Sequence, residues 1–100
     1  MTINVRIKPN GDFLPERIEK DPEDVIEVTV DYSQYFKTTA ITSFTIEGTS
    51  VTIDSSSETD NIITLFMSGG TRETHGEIKL TVSSTTQTLE RTLIVRIVEK

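Results

Sequence analysis

Residues 76–83 read Gly76-Glu77-Ile78-Lys79-Leu80-Thr81-Val82-Ser83. Ile78, Leu80 and Val82 fall on one side of an extended chain, and Glu77, Lys79 and Thr81 on the other. This period of two marks a strand with one face in a core and the other in water. The same alternation recurs outward along the chain. Residues 26–30 set Ile26, Val28 and Val30 against Glu27 and Thr29, and residues 3–7 set Ile3, Val5 and Ile7 against Asn4 and Arg6. Residues 40–47 put Ala40, Thr42, Phe44 and Ile46 on one face. Gly48 allows a tight turn before a short strand carrying Val51 and Ile53. A last strand over about 88–98 buries Leu89, Leu93, Val95 and Ile97. Arg91 interrupts that inward set, so we expect the strand to start at a rim or to carry a bulge there.

Residues 61–67, Asn-Ile-Ile-Thr-Leu-Phe-Met, are apolar at nearly every position. Such a run fits a strand covered on both faces, or a core strand whose outer face meets a partner. Left as a naked edge it would aggregate, so we expect it to lie centrally in a sheet, with Phe66 in the core beside Phe36.

Breaks separate these runs. Pro9-Asn10-Gly11-Asp12 is a turn, because Asn-Gly tolerates positive φ and Pro cannot extend a ladder. Residues 12–24 read as a charged connection, with Asp21 held extended or in a turn by Pro22. Residues 31–36, Asp-Tyr-Ser-Gln-Tyr-Phe, suit one helical turn that brings Tyr32, Tyr35 and Phe36 together as a plug at one end of the core. Residues 54–60 read as a polar loop, Ser68-Gly69-Gly70-Thr71 as a sharp turn and Ser84 to Gln87 as a hairpin connection. Short strands with turns between them predict an all-β fold, specifically an immunoglobulin-like antiparallel β-sandwich of about seven strands. The 100 residues make a single domain, 1–100, with an N-terminal strand and docking segment at 1–20 and the sandwich core at 21–100.

Composition agrees. The chain holds 17 Thr, 12 Ile and 8 Val against 5 Leu and 1 Ala, a β-branched excess that suits pleated surfaces rather than helices. With no Cys there is no disulfide, thiolate-ligated zinc or thiol nucleophile. A single His, His75, cannot build a multi-histidine metal site. The net charge of −6 has the wrong sign for gripping nucleic acid, and no apolar run is long enough to span a membrane. The opening Met-Thr-Ile-Asn-Val-Arg-Ile-Lys lacks an apolar h-region, so no signal peptide is expected.

Chemistry-bearing constellations are sparse. Glu19, Asp21, Glu23 and Asp24, and separately Asp54, Glu58 and Asp60, are acidic groups whose spacing does not match a calcium loop. They read as solvated loops. His75 has no nucleophile or orienting partner placed by the sequence. Ser68-Gly69-Gly70 lacks the Lys-Ser or Lys-Thr and the helix of a phosphate loop. No catalytic residue, cofactor or metal is expected.

Two segments carry a resemblance. Lys20-Asp21-Pro22 leads through a strand to Val30-Asp31-Tyr32-Ser33-Gln34-Tyr35-Phe36. Thr64-Leu65-Phe66-Met67-Ser68-Gly69-Gly70-Thr71 precedes two closing strands that end Leu89-Glu90-Arg91-Thr92-Leu93-Ile94-Val95-Arg96-Ile97. Over about residues 20–97 this resembles a family of small tailed-phage virion proteins described as fibre–tail adaptors. The chain departs from the family pattern where Tyr32 and Phe66 stand in positions commonly held by Trp.

The resemblance implies an immunoglobulin-like sandwich in a virion, assembled in the host cytoplasm, with other tail, neck or fibre proteins as partners in a symmetric assembly. A capsid decoration protein and a carbohydrate- or host-surface-binding module are the alternatives. The docking elements expected are segment 1–20, which carries Phe13, Leu14 and Ile18 in a loop-like stretch, and the 31–37 turn with Tyr32 and Tyr35. Apolar residues in such a segment are either packed on the parent sheet or inserted in a neighbour.

Overall fold

Among the described residues, alternating runs and turn residues resolve into nine strands: β1 (Thr2–Ile7), β2 (Phe13–Leu14), β3 (Arg17–Lys20), β4 (Ile26–Asp31), β5 (Ile41–Thr49), β6 (Thr52–Thr59), β7 (Ile62–Ser68), β8 (His75–Ser84) and β9 (Thr88–Ile97). The computed structural model describes residues 2–37, 39–71 and 73–98. The strands form two sheets, one of five in the order β2-β1-β4-β7-β6 and one of four in the order β3-β9-β8-β5. Buried residues from both sheets join in one cluster, with Val28, Ile63 and Leu65 from the first and Ile78, Leu93 and Val95 from the second fully buried.

The all-β reading holds, while strand number and direction need correction. The charged stretch 12–24 contains β2 and β3, because Phe13 and Ile18 turn inward and each gives its short strand a buried anchor. Residues 54–60 are not a loop. Most of them belong to β6, and a two-residue turn at Asp60 (φ 52°) and Asn61 (φ 65°) joins β6 to β7, with Thr59 opposite Ile62. Two successive positive φ angles match the right-handed twist of a hairpin, and Asp and Asn tolerate them best after Gly.

The two sheets are also not wholly antiparallel. β1 runs parallel to β4 and β3 parallel to β9. Parallel neighbours need a long crossover, and residues 8–25 supply it for β1 and β4 by visiting both sheet edges on the way.

Other expectations match. β7 lies inside its sheet, paired to β4 and β6. Its inner face is Ile63, Leu65 and Met67, all fully buried. Phe66 is the correction: it alternates outward and is 39% exposed. Arg91 sits in an unbroken β8–β9 register, so there is no bulge at that position. It lies instead where β9 has no β3 partner, since β3 covers only Ile94 to Ile97. The turn at residues 8–12 is closed by the Lys8 N–H donating to Asp12 O and the Gly11 N–H donating to Lys8 O, each 2.8 Å. Gly48 belongs to β5 rather than to a turn, and a Cβ there would meet the Val51 carbonyl oxygen at 2.5 Å.

Candidate docking surfaces

At one end of the molecule the aromatic plug forms as a single turn. The Phe36 N–H donates to the Tyr32 carbonyl at 2.9 Å, and Asp31 Oδ1 accepts the Ser33 N–H at 2.8 Å. The Tyr32 and Phe36 rings stack at 5.8 Å, and Tyr35 meets Phe36 edge-on at 5.0 Å. Asn61 fixes this turn against β7. Its carbonyl accepts the Tyr32 N–H at 2.8 Å, its side-chain oxygen accepts the Ile41 N–H at 2.9 Å, and its side-chain nitrogen donates to Thr39 O at 2.9 Å. Tyr32 is 1% exposed, and burial holds its phenol well above the usual value.

The N-terminal turn abuts the same plug. A Cβ on Gly11 (φ 92°) would lie 3.0 Å from Arg91 Nη2 and 3.4 Å from Tyr35 Cε1. The two expected docking elements are therefore neighbours. Within them the side chains divide. Phe13, Ile18 and Tyr32 are packed in the core of this chain. Leu14 is 41% exposed and Tyr35 is half-buried, and these two retain accessible surface. Beside Leu14 lies a groove of about 380 Å³ lined by Asn4, Arg6, Thr29, Asp31 and Ile62.

The groove belongs to the outer face of the five-stranded sheet, whose register arranges its side chains in rows. Leu14, Arg6, Asp31, Ile62 and Thr59 form one row across all five strands. A second row contains Asn4, Thr29, Thr64 and Ser57, with the Thr29 hydroxyl donating to Asn4 Oδ1 at 2.7 Å. A third contains Thr2, Glu27, Phe66 and Ser55, with the Thr2 hydroxyl donating to Glu27 Oε1 at 2.6 Å. Hydroxyls thus surround three exposed apolar side chains: Leu14, Ile62 and Phe66.

The opposite outer face differs. It carries Arg17, Glu19, Glu77, Lys79, Glu90 and Arg96, with long ion pairs at 3.9 Å between Lys79 and Glu90 and between Arg96 and Glu19. Exposed pairs of this kind add little stability and keep that face wet. The strand-period pattern of 62–67 was the signal for Phe66: Ile63, Leu65 and Met67 take one face, which leaves Ile62 and Phe66 on the other.

At the far end, Lys20 turns inward from β3 and is 1% exposed. Its ammonium donates to Gly69 O at 2.7 Å and to Asp21 O at 2.8 Å. Burial lowers its pKa, and the Asp24, Asp21 and Asp54 carboxylates oppose that shift. The acidic groups serve the turns: Asp21 Oδ1 accepts the Glu23 N–H, Asp54 Oδ1 the Ser68 hydroxyl and Glu58 Oε2 the Asn61 N–H. Among the described residues no three of His, Asp or Glu are grouped to hold a metal ion.

A family described as podophage GP4 fiber-tail adaptor protein gp77 matches residues 20–96. No curated protein sequence matches the chain. Among solved structures, a cysteine protease inhibitor, EhICP2, from Entamoeba histolytica is 13% identical, with 99% of this chain and 97% of that one covered and a TM-score of 0.49. The solution structure of Amebosin is 12% identical, with coverage of 100% and 99% and a TM-score of 0.41.

Proposed function

This chain belongs to the Gp77 family of podophage GP4 fiber-tail adaptor proteins, and from that premise we propose that it is a non-enzymatic structural adaptor of the phage particle, an immunoglobulin-like sandwich that links fibres or ring proteins of the tail or neck. The family match over residues 20–96 carries this reading. The residues it spans have structural work: Lys20 ties two turns together, Asp31 and Tyr32 shape the aromatic plug, and Gly70 packs on Ile97. A linking part needs rigidity and accessible surface, and the sandwich provides both.

Docking falls to the end where the residue 8–12 turn meets the 31–37 turn. Leu14 and Tyr35 supply the accessible apolar surface, with Arg6 and Asp31 beside the groove as polar rim. Deleting the N-terminal segment is a poor test, because Val5, Ile7, Phe13 and Ile18 belong to the core. Point substitutions are cleaner. Leu14→Asp and Tyr35→Ala should leave the purified protein folded by circular dichroism while reducing its incorporation into particles. Incorporation at the wild-type level for both would refute this docking end.

A further inference from the structure

We propose that β6 is a second docking strand, which accepts an extended Lys- or Arg-bearing segment of another protein as an added strand of the five-stranded sheet. β6 is the last strand of that sheet and pairs with β7 alone. Along its free side, backbone donors and acceptors of an eight-residue strand have no strand partner among the described residues. Six of the eight side chains are exposed, so the strand contributes little to the core. Its order comes from the ladder to β7 and the Asp60-Asn61 turn.

Sheet edges are commonly guarded by Lys, Pro or a bulge. β6 has no Lys and no Pro, and its register shift lies between Ile53 and Ser55, at one end. From Ser55 to Thr59 the pairing is regular, and Ser55, Ser56 and Ser57 put only small hydroxyl side chains on the two faces. No bulky side chain of Ser55–Ser57 stands in the way of an incoming strand.

Charge selects the occupant. Between Lys37 and Arg72 the sequence has no Lys, Arg or His, but it has Glu47, Asp54, Glu58 and Asp60. Glu47 lies on β5, the edge of the other sheet on the same side of the molecule. An antiparallel pairing of β6 with a second copy centred on Ser56 would set Asp54 opposite Glu58 twice, which is repulsive. A strand with cations at those positions gains what the self-pair loses. This is strand addition, in which backbone hydrogen bonds give affinity and alternate side chains give selectivity.

The position suits a linker. β2 and β6 end the same sheet on opposite sides, so Leu14 and β6 face different neighbours. The inference rests on the adaptor reading only for the biological source of the incoming strand.

The test uses the purified full chain, with a short synthetic peptide alternating Lys with Val and its Glu–Val counterpart. Hydrogen exchange should slow at the amides of residues 52–59 with the lysine peptide and not with the glutamate one. Binding should weaken at least about tenfold between low and high salt, because Asp54 is exposed and Glu58 only half-buried. The double variant Ser55→Lys, Ser57→Lys should weaken the preference for the lysine peptide while its melting temperature stays within about 2 °C of wild type, as expected for exposed positions. Protection at β5 or β2 instead, no protection by the lysine peptide, or equal binding of both peptides would overturn the proposal. The salt response of the wild-type chain decides the matter even if the double variant is unstable. Absence of the chain from phage particles would defeat the adaptor reading and leave this peptide result untouched.

Discussion

The ammonium of Lys20 donates to the carbonyl of Gly69 at 2.7 Å, across 49 residues of sequence. With the second bond to Asp21 O at 2.8 Å, it joins the Lys20-Asp21-Pro22 turn to the Ser68-Gly69-Gly70 turn at one end of the sandwich. Two motifs that look unrelated in the sequence form one structural clasp.

Lys20→Met should therefore destabilise the fold. The apolar stem is kept, but the carbonyls of Asp21 and Gly69 lose their charged donor. Hydrogen bonds to charged groups contribute about 1.5–3 kcal/mol, and the loss should fall in that range. Urea denaturation measures it, and unchanged stability would mean that water satisfies both carbonyls equally well.

Neighbouring residues on β7 should respond in opposite ways. Leu65 is fully buried, so Leu65→Ala should cost about 2–5 kcal/mol. Phe66 stands on the outer face, so Phe66→Ala should cost less than about 1 kcal/mol in the isolated protein. Equal losses at the two positions would contradict the outward placement of the ring.

These examples show how far the sequence could be read. Alternation alone locates the core of β1, β4, β8 and β9, and the aromatic plug follows from the spacing of Tyr32, Tyr35 and Phe36. In β5 it misleads: a register shift after Ile41 turns Ile41 inward and leaves Ala40 and Thr42 exposed, with Phe44 and Ile46 half-buried. Apolar content could not show which side of β7 meets the other sheet, because Ile62 and Phe66 interrupt the polar face. The run alone therefore puts Phe66 inside, whereas the ring faces out. Only the start of β6, at Ile53, is legible, because residues 54–59 have too little apolar alternation to signal a strand; the ladder to β7 holds them rather than burial. β2 and β3 are hidden by their shortness, with one inward apolar anchor each at Phe13 and Ile18 and charged residues around them. The clasp at Lys20 depends on contacts between distant segments, which no local pattern reports.

Gly70→Ala should destabilise by more than about 1 kcal/mol, because φ there is 108°, outside the range L side chains adopt. The added Cβ would also lie 2.7 Å from Ile97 Cδ1 and 2.9 Å from Ile97 Cγ1. Both atoms belong to one side chain that can shift, so backbone strain dominates. On an Ile97→Ala background, which removes both contacting atoms, Gly70→Ala should still cost more than half as much as in the wild type. Loss of most of that cost on the Ile97→Ala background would show that the clash dominates.

Alkaline stability should depend on Tyr32. Its phenol titrates well above the ordinary value of about 10 because the ring is buried. A raised folded-state pKa contributes stability that is complete below about pH 10 and is lost as pH rises beyond it, since the unfolded chain ionises first. The lowered pKa of Lys20 acts with the opposite sign, adding stability as pH rises toward about 10.4 and nothing further above that. Between roughly pH 10.5 and 12 the Tyr32 contribution therefore falls alone of the two. Denaturation across that range should show a smaller decline for Tyr32→Phe than for wild type. Parallel declines would mean that the phenol is hydrated.

The adaptor account is tested most directly by quantitative mass spectrometry of gradient-purified phage particles, counting this chain against the major capsid protein. A tail or neck adaptor in a closed ring predicts a copy number from a few to a few dozen, on the order of one ring or a small multiple of one. Several hundred copies would place it on the capsid surface, and complete absence from the particle would contradict the account outright.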